Sequence, residues 1–350
     1  MRTEQGMYDA AIESSRIFSH AVREVADSSG LLTYLAEPRG VDDMIGHMEF
    51  LPEKRDQLVC LLRLLASQEL LREVTVDGGP RYQTNGARAG RSLDDDGRYV
   101  PQIQHIEGWY GDDYAEAIRT TNIEFLGRDL EFLRKPHQFA RFDKSLAEEW
   151  RLTMTSPLYE FGRGLCVEEL VARGNRFLDL ACGPGYGAQR IAEACGGRCS
   201  IVALDKSADF VEMTRELDYP AGTELRAEVH DINLPLPELA PESIDGVLFN
   251  GSFHFIRDKQ ARLAELWTAL RPGGLLCLGH TFARSGFPDE AMREFYFSML
   301  EDDLFPLSWD ELIALTEQAG YRPVRNFHQG SYSYLLVEKV SAPAGDRSGR

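Results

Sequence analysis

The chain has 350 residues, which is long for one compact core and comfortable for two domains. It is 43% hydrophobic and 27% charged, a globular composition that excludes a mainly disordered or fibrous chain. Its net charge of −18 opposes binding to nucleic acid or any other polyanion.

No apolar run approaches the roughly 18 residues of a membrane span, and no apolar signal segment follows Met1. The six cysteines (60, 166, 182, 195, 199 and 277) include no C-x-x-C pair. Cys195 and Cys199 lie close in sequence but lack a second pair to complete a zinc site. Free thiols in a reducing cytoplasm, and no metal, are the expectation.

The first 30 residues carry a helical stripe through Met7, Ala10, Ala11, Ile17, Phe18, Ala21, Val22 and Val25. Leu31 to Leu35 and Val41 to Met48 read as short helices. Pro52 opens a longer helix with an apolar face of Leu58, Val59, Leu61, Leu62, Leu64 and Leu65. Two short strands around Asp77-Gly78 read as a hairpin. Helices followed by a hairpin form a winged-helix pattern, assigned here to residues 1–100. Such modules often read DNA, but this stretch has 12 Lys or Arg against 17 Asp or Glu. An interaction or dimerisation role suits that charge better.

Residues 86–104 read as a polar linker with a solvated acidic turn at 94–96. Residues 101–174 read as connecting helices rich in aromatics, including Trp109, Tyr110, Phe125, Phe132, Phe139, Phe142, Trp150, Tyr159 and Phe161. They are expected to roof a pocket or to pack between domains. From 175 to 340 strands and helices alternate. Strands are expected at 176–181, 200–205, 224–230, 244–250, 274–279, 322–328 and 332–339. Ser207 and Asp258 are placed as helix caps, and Ser308 with Glu311 as a capping box. This is a doubly wound, Rossmann-like α/β domain. Residues 341–350 read as a disordered tail.

The segment Asp179-Leu-Ala-Cys-Gly183-Pro-Gly185-Tyr-Gly187-Ala188 joins the first of these strands to the next helix. Its glycines permit a tight bend and close approach of backbone to a ligand. Asp205 ends the following strand, where a carboxylate accepts ribose hydroxyls. Gly183-x-Gly185-x-x-Ala188 also satisfies the dinucleotide pattern, so a nicotinamide dehydrogenase remains a competing reading. Three features separate the two. Asp179 stands where a dinucleotide strand keeps an apolar residue, which implies a cofactor with a positive pole. His230-Asp231 ends the third strand. Leu270-Arg-Pro-Gly-Gly274 precedes the fifth.

With these motifs, residues 175–339 resemble the class I S-adenosylmethionine-dependent methyltransferases. The resemblance implies a seven-stranded methyltransferase sheet and S-adenosylmethionine as cofactor, with S-adenosylhomocysteine as product. It implies cofactor contacts from Asp179, Ala181, Gly183, Gly185, Asp205, Lys206, Asp231, Ile232 and Asn250. Ala181 stands where the family often has glycine. Leu31-Leu-Thr-Tyr-Leu-Ala-Glu-Pro, the 52–70 helix and Arg81-Tyr-Gln-Thr resemble the winged-helix dimerisation domain of small-molecule O-methyltransferases. That narrower likeness implies a homodimer and a small, aromatic or natural-product-like acceptor, with oxygen as the favoured methylated atom.

His254 follows the fourth strand, where that family often has a general base, although Phe255 and Ile256 replace its usual Asp-Trp neighbours. His280 ends the fifth strand and is expected to face the same cleft. With Tyr159, Phe295 and Tyr296 it completes the expected acceptor pocket. The acids 301–303 are expected to be solvated. Methylation of carbon or nitrogen, and a fold relative that keeps the cofactor for another reaction, are the alternatives at this stage.

Overall fold

The computed structural model describes residues 18–76, 78–85, 123, 126–127, 129–136, 143–144, 150–151, 154–155, 157–237, 239–283, 290–300, 304–329 and 332–340. The expected linker at 86–104, the acids 94–96 and 301–303, Trp109, Tyr110, Phe125, Phe139, Phe142 and the 341–350 tail lie outside the described residues. Two compact units divide the chain. The first joins residues 1–141 with 288–302, and the second joins 142–287 with 303–350. Sequence texture changes at 101 and 175, whereas the units divide at 141 and the first reclaims a later helix.

In the first unit, helix α1 (18–28) precedes α2 (Leu31–Tyr34) and α3 (Val41–His47). Pro52 starts a 3₁₀ turn that runs into α4 (Arg55–Ser67). The leucines read as one face, Leu58, Leu61, Leu62, Leu64 and Leu65, are buried, as an amphipathic helix requires. Strands β1 (Leu71–Val76) and β2 (Gly79–Thr84) pair from Leu71↔Thr84 to Val76↔Gly79. Arg39 adds a short bridge to the hairpin through two backbone bonds with Tyr82, at 2.9 and 3.0 Å. Helices α5 (Glu131–Arg134) and α10 (Glu290–Ser298) complete this unit. Arg63 of α4 approaches Glu294 of α10 at 3.7 Å.

The second unit contains α6 (Pro157–Val171), then a seven-stranded sheet. Its strands are β3 (Arg176–Leu180), β4 (Ser200–Asp205), β5 (Glu224–Val229), β6 (Ile244–Asn250), β7 (Leu270–Thr281), β8 (Tyr321–Gln329) and β9 (Tyr332–Lys339). Their spatial order is β5-β4-β3-β6-β7-β9-β8. All neighbours run parallel except β9, which is antiparallel to β7 and β8. Helices α7 (Tyr186–Ala194), α8 (Ala208–Glu216), α9 (Lys259–Ala269) and α11 (Trp309–Gln318) connect the strands. Strand β6 is buried almost throughout because it lies in mid-sheet with both faces covered.

The chain leaves β3 toward β4 and β5, then returns to the other side of β3 with β6. That reversal opens a crevice at the carboxyl ends of β3 and β6, the usual ligand position in such sheets. At the opposite end, Asp245 fastens three strands. Its carboxylate accepts bonds from the amides of Asn175 and Arg176, both at 3.0 Å, and from Arg176 Nη2 and Arg271 Nε, both at 2.7 Å. Burial alone would raise this carboxyl. The arginines and amides outweigh it and hold Asp245 well below the usual carboxylate range.

Candidate functional site

The glycine loop grows out of the end of β3. Ala181 takes the left-handed backbone at φ 55°, which an L-residue holds at a cost of roughly 1 kcal/mol. The preference of this position for glycine therefore has a steric cause. Gly185 stands at φ 90°, and a Cβ there would lie 2.7 Å from Thr214 Oγ1. Thr214 in turn donates to the Gly183 carbonyl at 3.0 Å, so α8 braces the loop. Gly187 opens the first turn of α7, where a Cβ would come within 2.6 Å of Asp179 Oδ2. The loop is thus shaped by close backbone approach.

Two carboxylates border it. Asp205 accepts from the Gly183 amide on Oδ2 and from the Ser207 amide on Oδ1, each at 2.9 Å. Each oxygen keeps a further lone pair, the pattern that a vicinal diol needs. Burial raises the Asp205 carboxyl, and the two amides oppose the rise. Asp179 is 3% exposed, and its Oδ2 is buried with no hydrogen-bond partner. Burial pushes its carboxyl up to about 7, against the pull of Arg163 and the Ala188 amide. A buried carboxylate oxygen without a hydrogen-bond partner is costly to leave unpaired, and a cationic ligand would satisfy it.

The remaining expected cofactor residues are placed less uniformly. Lys206 is exposed just beyond β4. Asp231 is exposed beyond β5, and its Oδ1 accepts from the Asn233 amide at 2.8 Å. Ile232 is buried in the sheet core with Leu180 and Leu204, so little of it remains to flank a ligand ring. Asn250 ends β6, paired in register with Gly279 of β7. Its Oδ1 accepts the Tyr332 hydroxyl at 2.6 Å.

A second cluster gathers beside Asn250. Tyr332 meets Tyr159 edge-on at 5.3 Å and lies near-parallel to His280 at 6.1 Å. His280 lies 4.2 Å from the ring of His254. Burial first, then His254, hold His280 well below the ordinary histidine pKa, so it is neutral at pH 7. Its Nδ1 accepts from the Thr281 amide at 2.8 Å.

His254 is fully buried. Its Nε2 is 2.7 Å from the Thr281 carbonyl, which only accepts, so Nε2 carries the proton and donates it. The expected general base therefore sits in the protein interior, tying the segment after β6 to the end of β7. Phe295 is likewise a core residue. It lies in the first unit, with Phe18 at 6.1 Å and Phe132 at 5.8 Å, and exposes none of its surface. Its ring makes apolar contacts within that unit. Tyr296, also on α10, is half-buried, and burial pushes its hydroxyl up to about 12.

Sequence reasoning missed three site neighbours. Thr214 is revealed only by its contact with the loop. Tyr332 begins a strand that was expected at 332–339 without any site role. Arg163 had a detectable signal: a lone cation within Phe161-Gly-Arg-Gly-Leu-Cys-Val167. No group of three or more histidines, cysteines or acids that could hold a metal occurs among the described residues.

Residues 177–274 match the family described as "Methyltransferase domain". Among curated proteins, the chain is 29% identical over 144 residues to a carboxy-S-adenosyl-L-methionine synthase of Shigella sonnei (strain Ss046), covering 40% of this chain and 56% of that protein. It is 27% identical over 153 residues to the O-methyltransferase rstn1 of Aspergillus nomiae, covering 43% and 66%. The chain thus spans less than two thirds of these relatives. Among solved structures it is similar to the DszA carbon methyltransferase, with a TM-score of 0.65 at 16% identity over 97% of this chain and 92% of that one. For the CurJ carbon methyltransferase the TM-score is 0.63 at 14% identity, over 95% and 92%. Such low identities speak to fold alone. The fold is therefore that of the class I methyltransferases, and the orphaned Asp179 oxygen, the glycine-shaped loop and the twofold capacity of Asp205 fit S-adenosylmethionine.

Proposed function

We propose that the protein is an S-adenosylmethionine-dependent methyltransferase acting on a small molecule, with oxygen as the methylated atom. The observation that carries the reading is the paired-acid cradle: Asp179 with a free buried oxygen, the glycine loop, and Asp205. The methyltransferase-domain match over 177–274 supports it, and a relative named as an O-methyltransferase supports the acceptor atom. When bound, the cofactor supplies an electrophilic methyl group on a sulfonium. Asp179 offers its carboxylate to the ammonium of the methionine tail. Asp205 accepts from the ribose diol, and the loop lets backbone come close. Methyl transfer is a displacement in line, so the protein chiefly positions its reactants.

The acceptor side needs no base at His254. A phenol or enol acidic enough to have given its proton to solvent at neutral pH before it binds is the acceptor class we propose, its oxygen set beside His280 and Tyr332. Purified protein is to be incubated with labelled cofactor and a panel of small phenols and enols, and the products read by mass spectrometry and NMR. An O-methyl product, still formed by His254→Ala at one tenth of the wild-type rate or more, is expected. A hundredfold loss in a folded variant would restore the base role. A C- or N-methyl product would reassign the accepting atom.

We further propose that the first unit is a winged-helix-like dimerisation module. Its helices and its β1–β2 hairpin support that reading. The described cysteines are all free thiols, and no described helix is long and apolar enough to cross a membrane.

A further inference from the structure

We infer that Asn250 donates a hydrogen bond to the ionised oxygen of the acceptor, and that Tyr332 is the positioning residue that aims it; the inference rests on the reading above and names the group that holds its acceptor. It gives to the acceptor a residue expected at the cofactor. Asn250 is half-buried and ends β6 at the crevice, in the same unit as every residue that follows. Its Oδ1 accepts the Tyr332 hydroxyl at 2.6 Å. The Gly279 carbonyl lies 3.3 Å from the same hydroxyl, but it already takes the Gly251 amide at 2.7 Å. The hydroxyl proton therefore goes to Asn250. An amide whose oxygen is engaged in this way presents its Nδ2, which only donates, on the side turned from Tyr332.

Three strands are shaped around this one bond. Gly279 of β7 faces Asn250 of β6 on one side and Tyr334 of β9 on the other. A Cβ at 279 would run into Asn250 Oδ1 and, at 2.6 Å, Tyr334 Cε1, so glycine makes room for the pair. The Tyr332 ring is held in turn, edge-on to Tyr159 of α6 at 5.3 Å and near-parallel to His280 at 6.1 Å. The imidazoles beside it are engaged with backbone. His254 Nε2 donates to the Thr281 carbonyl at 2.7 Å, and His280 Nδ1 accepts from the Thr281 amide at 2.8 Å. Burial keeps His280 neutral and Tyr334 protonated, so neither brings a charge to the cluster at neutral pH. What the cluster offers an acceptor is then the Asn250 amide. A fixed donor favours the charged form of an oxygen that it meets. An amine, which would turn its own N–H toward a group that can only donate, suits this arrangement less than a phenolate or enolate.

4-Nitrophenol tests this without turnover, because its phenolate is yellow and its neutral form is colourless. It is titrated into protein saturated with S-adenosylhomocysteine, at the pH where the unbound compound is half ionised. In wild type the ratio of ionised to neutral compound should be at least tenfold higher when bound than in solution. Asn250→Leu keeps the size of the side chain and removes the donor, and should bring the ratio within about twofold of that in solution. Tyr332→Phe should lower the wild-type ratio threefold or more, since the amide can then turn. A folded Asn250→Leu with the wild-type ratio would overturn the role of Asn250, and a folded Tyr332→Phe with that ratio would overturn the role of Tyr332. Both results would leave the phenol reading standing. A wild-type ratio no higher than in solution would overturn both roles with no variant needed, so misfolding of a substituted protein leaves the question answerable. Failure of 4-nitrophenol to bind the loaded protein would overturn the inference together with the phenol class. Failure of S-adenosylhomocysteine itself to bind would remove the cofactor reading beneath them.

Discussion

Asp179 carries opposing demands of stability and function. Its carboxyl is raised to about 7 in the folded chain, chiefly by burial, against an ordinary value of 3.8. The folded state therefore holds a proton that the unfolded state has lost between those values. This residue makes folding less favourable as pH rises from about 4 to about 7, with no further change above. Asp179→Asn should raise stability at pH 8 and flatten that slope, read by urea unfolding across pH. The same change should weaken cofactor binding tenfold or more. For wild type, affinity for the ammonium-bearing cofactor should grow as pH rises through 7 and Asp179 ionises. Loss of binding should also follow Gly187→Ala, whose Cβ would meet Asp179 Oδ2 at 2.6 Å and Leu248 Cδ2 at 2.9 Å. Overpacking of this kind costs about 1–3 kcal/mol. The two acids and the glycines were legible because each is required by local backbone geometry and lies at a strand end. Thr214 was not, since only the packing of α8 brings it to the loop. The burial of His254, Ile232 and Phe295 was hidden for the same reason: side-chain direction at a strand end or on a helix is settled by its tertiary neighbours.

The elements are held by a few polar fastenings as much as by apolar burial. Asp245 joins the starts of β3, β6 and β7. Asp245→Asn should destabilise by roughly 3 kcal/mol, as expected when one partner of a buried ion cluster is removed. Because this carboxyl is held below its ordinary value, its contribution is present above about pH 4 and fades as pH falls through its folded value. The loss in the variant should therefore shrink in acid, which urea midpoints at pH 7 and pH 3 would reveal. Ser308 caps α11 by accepting from the Glu311 amide at 3.3 Å, while Glu311 accepts from the Ser308 amide at 2.7 Å. Ser308→Ala should cost about 1 kcal/mol. This capping box was legible residue by residue, as were the bounds of β6, because both rest on local rules. Strand β7 was not, extending over Leu270–Thr281 where only 274–279 reads as apolar. Its start pairs with β6 across the Arg271-Pro-Gly-Gly turn, a long-range choice that no local pattern encodes.

At the scale of the whole molecule, alternation of strands and helices from 175 foretold the doubly wound sheet of seven strands, whereas the antiparallel setting of β9 between β7 and β8 was not foretold. The return of 288–302 to the first unit was not foretold, because a helix with one apolar face does not declare which core it joins. The proposed pairing of two copies is checked by sedimentation equilibrium, with a mass near twice 39.4 kDa expected at micromolar concentration. A monomer at those concentrations would remove the dimerisation role from the first unit. The central claim is the cofactor site, and calorimetric titration with S-adenosylmethionine and S-adenosylhomocysteine tests it most directly, with Asp205→Ala as the control. Saturable one-to-one binding of both by wild type, weakened at least tenfold in a folded Asp205→Ala, is the predicted result. Folded wild-type protein that binds neither compound, or an Asp205→Ala variant that binds both as well as wild type does, would contradict it.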